Sequence, residues 1–163
     1  YAVAPEEMAQ NLTALLDTGV VGINIEDRIL GGKGLHGITE HAARLAALRA
    51  AAEAAGVDLF INARTDVFFQ GKGAPPAAEL MGEALERAAA YREAGASGVF
   101  VPGLGDLDLI GRMAAEQDLP LNVMRMGDTV SVETYAQAGV ARISHGPGPY
   151  LAAMKAVGEA ALS

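Results

Sequence analysis

Val21-Gly22-Ile23-Asn24-Ile25-Glu26-Asp27-Arg28 and Leu59-Phe60-Ile61-Asn62-Ala63-Arg64-Thr65-Asp66 read as two strands that run from apolar residues into charge. A strand covered on both faces is a continuous apolar run, so a charge there is costly unless it is paired or solvated at the strand end. In parallel α/β folds the C-terminal edge of the sheet is where ligands bind. Acids ending one strand and a guanidinium ending the next therefore predict a metal or an anionic ligand between them. A plain ion pair closing the sheet is the competing reading.

Outward from these two strands a pattern recurs. Helical stretches stop at Thr18-Gly19, Ala55-Gly56, Ala94-Gly95 and Ala138-Gly139, and an apolar strand follows each within a few residues. Glycine just past a helix is the left-handed stop signal. A spacing of ~40 residues is that of one βα unit. Leu119-Pro120-Leu121-Asn122-Val123-Met124 supplies a further strand without the glycine stop. Helices are expected from Pro5, over 41–55 with Thr39 as N-cap, from Pro76 to Ala94, from Leu107 capped by Asp106, from Val132 capped by Ser131, and after Pro149. In the third of these, Leu80, Leu85 and Ala88 are expected to face inward. Glycine-rich loops are expected at Gly31-Gly32-Lys33-Gly34 and at Gly71-Lys72-Gly73-Ala74-Pro75-Pro76. Five parallel strands alternating with helices fit an open doubly wound sheet or part of a (β/α)8 barrel of typically ~250 residues.

Composition narrows the functions. The 163 residues are 51% hydrophobic and 5% aromatic, so the core is built from Ala, Val, Leu and Ile. A net charge of −8 argues against nucleic-acid partners, which want a basic stripe. With Cys at 0, thiolate nucleophiles, disulfides and cysteine metal sites are excluded. No apolar run approaches the roughly 20 residues of a membrane span, and a cytoplasmic protein is the expectation.

Taken together, Gly22-Ile23-Asn24-Ile25-Glu26-Asp27, Ile61-Asn62-Ala63-Arg64-Thr65-Asp66, Gly95-Ala96-Ser97-Gly98-Val99-Phe100-Val101-Pro102, Pro120-Leu121-Asn122 and Gly139-Val140-Ala141-Arg142-Ile143-Ser144 resemble the isocitrate lyase/phosphoenolpyruvate mutase superfamily. The likeness is nearest to its carboxyphosphonoenolpyruvate phosphonomutase-like members, and it runs in order along nearly the whole chain. It implies a TIM-type (β/α)8 barrel, with residues 1–163 forming a single partial domain of strands four to eight. It also implies that the metal-binding aspartates of the third strand lie upstream of Tyr1. The helix that members exchange between subunits would lie beyond Ser163, with a homo-oligomer as the complete form.

The resemblance further implies a Mg2+-dependent enzyme acting on a small 2-oxo acid or phosphonate through an enolate-like intermediate. It would be a C–C lyase or decarboxylase, or a P–C mutase or hydrolase. Glu26 and Asp27 fall at the metal, Asp27 in a supporting role. Arg64 falls where the substrate carboxylate is gripped, its planar fork suiting that task better than Lys. Asn122 falls at a polar position near substrate, or else satisfies loop backbone. Residues 28–37 fall on the gating loop, in which Lys33 and His36 are the titratable candidates for catalysis. His41, in the following helix, is expected to cap or pack.

Relatives that cleave isocitrate carry a catalytic cysteine in this loop, and this chain has none. Pro102-Gly103 stands where many relatives carry a Glu. A degenerate barrel that binds a carboxylate without turnover therefore stays open. So does an unrelated barrel enzyme using residues 144–148 for phosphate.

Overall fold

A computed structural model describes residues 4–69, 75–125, 127 and 130–162. Residues 71–74 of the expected 71–76 loop, Tyr1 and Ser163 lie outside these residues. The chain alternates helices and strands: α1 (Pro5–Leu16), β1 (Gly22–Glu26), α2 (Ile38–Ala54), β2 (Phe60–Arg64), α3 (Ala77–Glu93) and β3 (Gly98–Val101), then α4 (Leu107–Ala115), β4 (Leu121–Met124), α5 (Val132–Gln137), β5 (Val140–Ser144) and α6 (Gly148–Ala161). All strand pairs are parallel, and their spatial order is β1-β2-β3-β4-β5. A doubly wound sheet reverses its strand order at a switch point. This sheet does not reverse, so its topology is that of a barrel wall.

The helix stops fold as read, with Gly19, Gly56, Gly95 and Gly139 all at positive φ. The Asp106 side chain accepts the backbone N–H groups of Asp108 and Leu109, and Ser131 accepts that of Thr134. The start of α2 departs from expectation. Its N-cap is Gly37, with no side-chain cap, and Thr39 lies inside the first turn. The preceding chain explains this: Arg28 and Leu35 form an antiparallel bridge, and the His36 N–H reaches the Asp27 carbonyl at 2.7 Å. That hairpin delivers the backbone into the helix two residues early. In α3 the buried face carries Met81, Ala84, Arg87, Ala88 and Tyr91, while Leu80 and Leu85 are only partly buried. Sequence reasoning gave Arg87 no place on that face, yet it is buried there and reaches Asp27 and Tyr91.

Alternation along the strands separates two chemistries. Ile61, Ala63, Val99, Val101, Leu121 and Val123 are fully buried and pack with the helices in two apolar clusters. The opposite face carries amides: Asn62 Nδ2 donates to Asn24 Oδ1 at 2.8 Å and to Asn122 Oδ1 at 3.0 Å. β3 lies between Asn62 and Asn122, and Gly98 makes this reach possible. A Cβ there would stand 3.1 Å from Asn62 Oδ1 and 2.9 Å from the Phe60 ring.

Gly103 closes the turn after β3 against the loop after β2. Its φ is +90°, and an added Cβ would lie 2.4 Å from the Phe68 carbonyl oxygen. Gly103→Ala is therefore expected to lower the unfolding free energy by about 1–3 kcal/mol from backbone strain alone. A urea midpoint unchanged from that of the parent would contradict this.

Candidate active site at the strand C-termini

Parallel register sets Glu26 of β1 directly opposite Arg64 of β2. Their side chains meet at 3.1 Å, Nη1 to Oε2, each still partly open to solvent. Both line a cavity of about 530 Å³ that wraps the edge strand β1, with Met8, Asn24, Leu30 and Arg44 among its other walls. Among the described lining residues, Glu26 is the carboxylate and Arg44 and Arg64 are the cations.

Arg64 is held on several sides. Its Nε donates to Asp66 Oδ1 at 2.6 Å and its Nη2 to Asp66 Oδ2 at 3.0 Å. Its guanidinium carbon lies 5.8 Å from the centre of the Phe100 ring, within cation–π range. Burial opposes its charge, but the Asp66 hydrogen bonds and the Asp66, Glu26 and Asp27 carboxylates outweigh that and raise its pKa above the ordinary value. Arg64 is thus a permanent cation at a cavity wall.

Asp27, assigned to the metal in a supporting role, is not among the residues lining the cavity. Strand alternation puts Asn24 and Glu26 on the face shared with Asn62 and Arg64 and turns Asp27, with Ile23 and Ile25, toward the helices, where Asp27 is fully buried. One oxygen accepts the Asp66 N–H at 3.0 Å; the other accepts Arg87 Nη1 at 3.1 Å and Tyr91 Oη at 2.9 Å. Burial, then the Asp27 charge, raises the Tyr91 pKa and keeps the phenol protonated. With hydrogen bonds on both oxygens and no place in the cavity lining, Asp27 braces the loop after β2.

The other assigned residues are also elsewhere. His36 is buried with Nδ1 2.8 Å from Glu40, and its carbonyl accepts Arg87. Lys33 is exposed at the tip of the 28–37 hairpin. Neither lines the cavity. Asn122 is buried with its amide consumed: Oδ1 accepts Asn62, and Nδ2 donates to the Val123 and Arg142 carbonyls at 3.0 Å. Glu26 and Arg64 are therefore the pair that the structure brings together.

Sequence reasoning gave no role to Asp66, Arg44, Arg87 or Tyr91. The signal for Asp27 was present in the alternation Ile23, Ile25, Asp27, which places it with the outward residues. Arg87 and Tyr91 share a helix face four apart, and they find Asp27 only through tertiary packing.

His41 of α2 packs as expected, its ring 4.8 Å from that of Tyr91 in an edge-on contact. Arg44 Nη1 lies 2.9 Å from its Nδ1, and Arg only donates, so Nδ1 is the acceptor of a neutral ring. Burial, then Arg44, His36 and Arg87, lowers its pKa from 6.5 to about 3. The unfolded chain takes up this proton below pH 6.5 while the folded chain refuses it. Stability from His41 is thus complete above pH 6.5 and falls toward pH 3, by about 1.4 kcal/mol per pH unit. Urea unfolding at pH 6 and pH 4 should show a shallower loss in His41→Gln; equal slopes would refute this.

For a divalent metal, the donor set supplies one partly open carboxylate, Glu26. Among the described residues there is no group of three or more metal-ligating side chains. Mg2+ commonly binds through one or two carboxylates and keeps several waters. Glu26 fits one such contact, and the described residues form no closed metal cage.

Fold and site together define a βα-barrel wall with an acid–arginine pair at adjacent strand ends. The chain matches the phosphoenolpyruvate phosphomutase family over residues 1–163, and it belongs to that family. A Burkholderia cenocepacia crystal structure assigned as a phosphonomutase superimposes with a TM-score of 0.92 at 46% identity, covering 98% of this chain and 64% of that one. Oxaloacetate decarboxylase 2 of Pseudomonas fluorescens is 30% identical over 157 residues, 93% of this chain and 51% of that enzyme. An uncharacterized Mycobacterium tuberculosis protein is 29% identical over 161 residues, 99% of this chain and 57% of that one. The chain thus spans little more than half the length of the curated relatives it matches. The fold is that of a partial TIM-type barrel of this superfamily, and no described helix is long and apolar enough to cross a membrane.

Proposed function

We propose that the chain carries the carboxylate-gripping wall of an enzyme acting on a small 2-oxo acid or phosphonate through an enolate-like intermediate. The observation that carries this is the Glu26–Arg64 pair at the C-terminal ends of β1 and β2, where such folds do their chemistry, with both side chains lining one cavity along β1. The names of the relatives support a C–C lyase or decarboxylase, or a P–C mutase.

In this reading Arg64 receives the substrate carboxylate. Asp66 occupies its Nε–Nη2 edge, and one N–H each on Nη1 and Nη2 remains for the ligand. The carboxylate would share Nη1 with Glu26, each taking one of its two N–H donors. Mg2+ bound at Glu26 would supply Lewis-acid stabilisation of charge on the enolate oxygen. Arg64, a fixed charge in a largely apolar cavity, adds to that stabilisation without reorganising. Arg44 adds a second cation on the same wall. A homo-oligomer in the cytoplasm belongs to the same proposal.

The test is turnover by the longest polypeptide carrying this chain, offered oxaloacetate, phosphonopyruvate and methylisocitrate with and without Mg2+. Mg2+-dependent consumption of one of the first two is expected. With no cysteine in the chain, methylisocitrate should stay intact. Binding without turnover of any would favour the degenerate barrel, for which Pro102-Gly103 is the motivating feature.

A further inference from the structure

We propose that Asp66 is the positioning residue that fixes how Arg64 meets a carboxylate, and that the buried Asp27–Arg87–Tyr91 cluster anchors Asp66 from behind. This rests on the reading of Arg64 as the carboxylate grip.

Asp66 is fully buried and lines no part of the cavity, so it does not touch a ligand there. Its two oxygens span the Nε and Nη2 donors of Arg64 at 2.6 and 3.0 Å, and the second also accepts Arg28 Nε at 3.0 Å. A side-on fork of this kind fixes the plane of the guanidinium as well as its place. What stays presented is the Nη1–Nη2 end, flanked by Glu26 and lying beside the Phe100 ring. An incoming carboxylate is thereby confined to an end-on approach next to Glu26.

Asp66 is itself pinned through its main chain. Its N–H donates to Asp27 Oδ1 at 3.0 Å, and Arg87 and Tyr91 hold the other Asp27 oxygen. A rigid path therefore runs from α3 through Asp27 and Asp66 to the guanidinium. A carboxylate serving only as a counter-charge needs none of this orientation, and a group that must present one edge of Arg64 does.

The probe is oxalate, a small planar dicarboxylate, titrated with Mg2+ present into the longest polypeptide carrying this chain. Calorimetry compares the parent, Asp66→Asn and Arg64→Lys. In parallel, the Arg64 Nε–H resonance is followed by 15N NMR, assigned by its loss in Arg64→Lys. We expect the parent to bind, and the Arg64 Nε–H signal to stay in place as oxalate is added. A folded Asp66→Asn should bind roughly 10- to 100-fold more weakly, the loss of one charge-assisted contact geometry.

If Arg64→Lys loses affinity but Asp66→Asn binds like the parent, the positioning role is overturned and the grip survives. If the parent does not bind, or Arg64→Lys binds equally well, the grip itself falls and this inference with it. Should Asp66→Asn not fold, the parent spectra decide alone. A Nε–H signal that shifts strongly on adding oxalate means the ligand takes the edge assigned to Asp66, which overturns the proposal.

Discussion

Replacing Arg87 with Met is expected to lower the free energy of unfolding by about 3–5 kcal/mol, the usual cost of leaving a buried charge without its partner. Arg87 is buried, and its Nη1 reaches Asp27 Oδ2 at 3.1 Å, the His36 carbonyl at 3.0 Å and Tyr91 Oη at 3.0 Å. Met fills much of the same volume, so the loss reports charge and hydrogen bonding more than a cavity. Asp27 would keep only the Tyr91 hydroxyl and the Asp66 N–H, neither of which carries charge. Combining Asp27→Asn with Arg87→Met should recover part of the loss, because the stranded charge is then gone. Urea denaturation of the single and double variants is the measurement. A single-variant loss under about 1 kcal/mol, the scale of an exposed pair, would mean that the cluster is not the brace described here.

That cluster also shows where the sequence was legible and where it was not. Apolar runs announced every strand and glycine stops all but β4, because both are local: a left-handed residue ends a helix, and a short apolar run is a buried strand. The choice between barrel and doubly wound sheet was not local, and it needed the strand order. Glu26 and Arg64 were legible because they interrupt apolar strands at the edge where interruption can be tolerated. Asp27 looked like their companion only because it is adjacent in sequence, and adjacency in a strand means opposite faces.

His36 and Lys33 were chosen for their chemistry within a glycine-rich loop, and chemistry alone does not fix direction. The hairpin bridge Arg28–Leu35 turns His36 back toward Asp27 and leaves Lys33 at the tip. Asn122 was placed near substrate by the resemblance, with satisfaction of loop backbone as the alternative. The Asn24–Asn62–Asn122 ladder satisfies its polarity internally, and it depends on the missing side chain at Gly98 two strands from β1. The surroundings of Asp27 and Asn122 are set by partners about 40 or more residues distant, those of His36 and Lys33 by a hairpin bridge that composition alone does not announce.

Arg64→Lys is expected to weaken carboxylate binding by about 1.5–3 kcal/mol, or roughly 10- to 150-fold in affinity or kcat/KM. Lys keeps the charge and loses the fork, so it cannot span Asp66 side-on and present a second pair of donors end-on. The ammonium faces a choice between Asp66 and Glu26, and whichever it takes leaves a single point contact for the ligand. Stability should fall less, by about 1–2 kcal/mol, because Arg28 Nε still holds Asp66 and the Asp27 anchor is untouched. A residue that merely closes the sheet would give the reverse pattern, a lowered melting temperature with unchanged binding. Thermal melts set beside oxalate titrations and steady-state kinetics on this one variant separate the two. An affinity within about twofold of the parent, a difference below 0.5 kcal/mol, would remove Arg64 from the ligand and leave it as part of the wall.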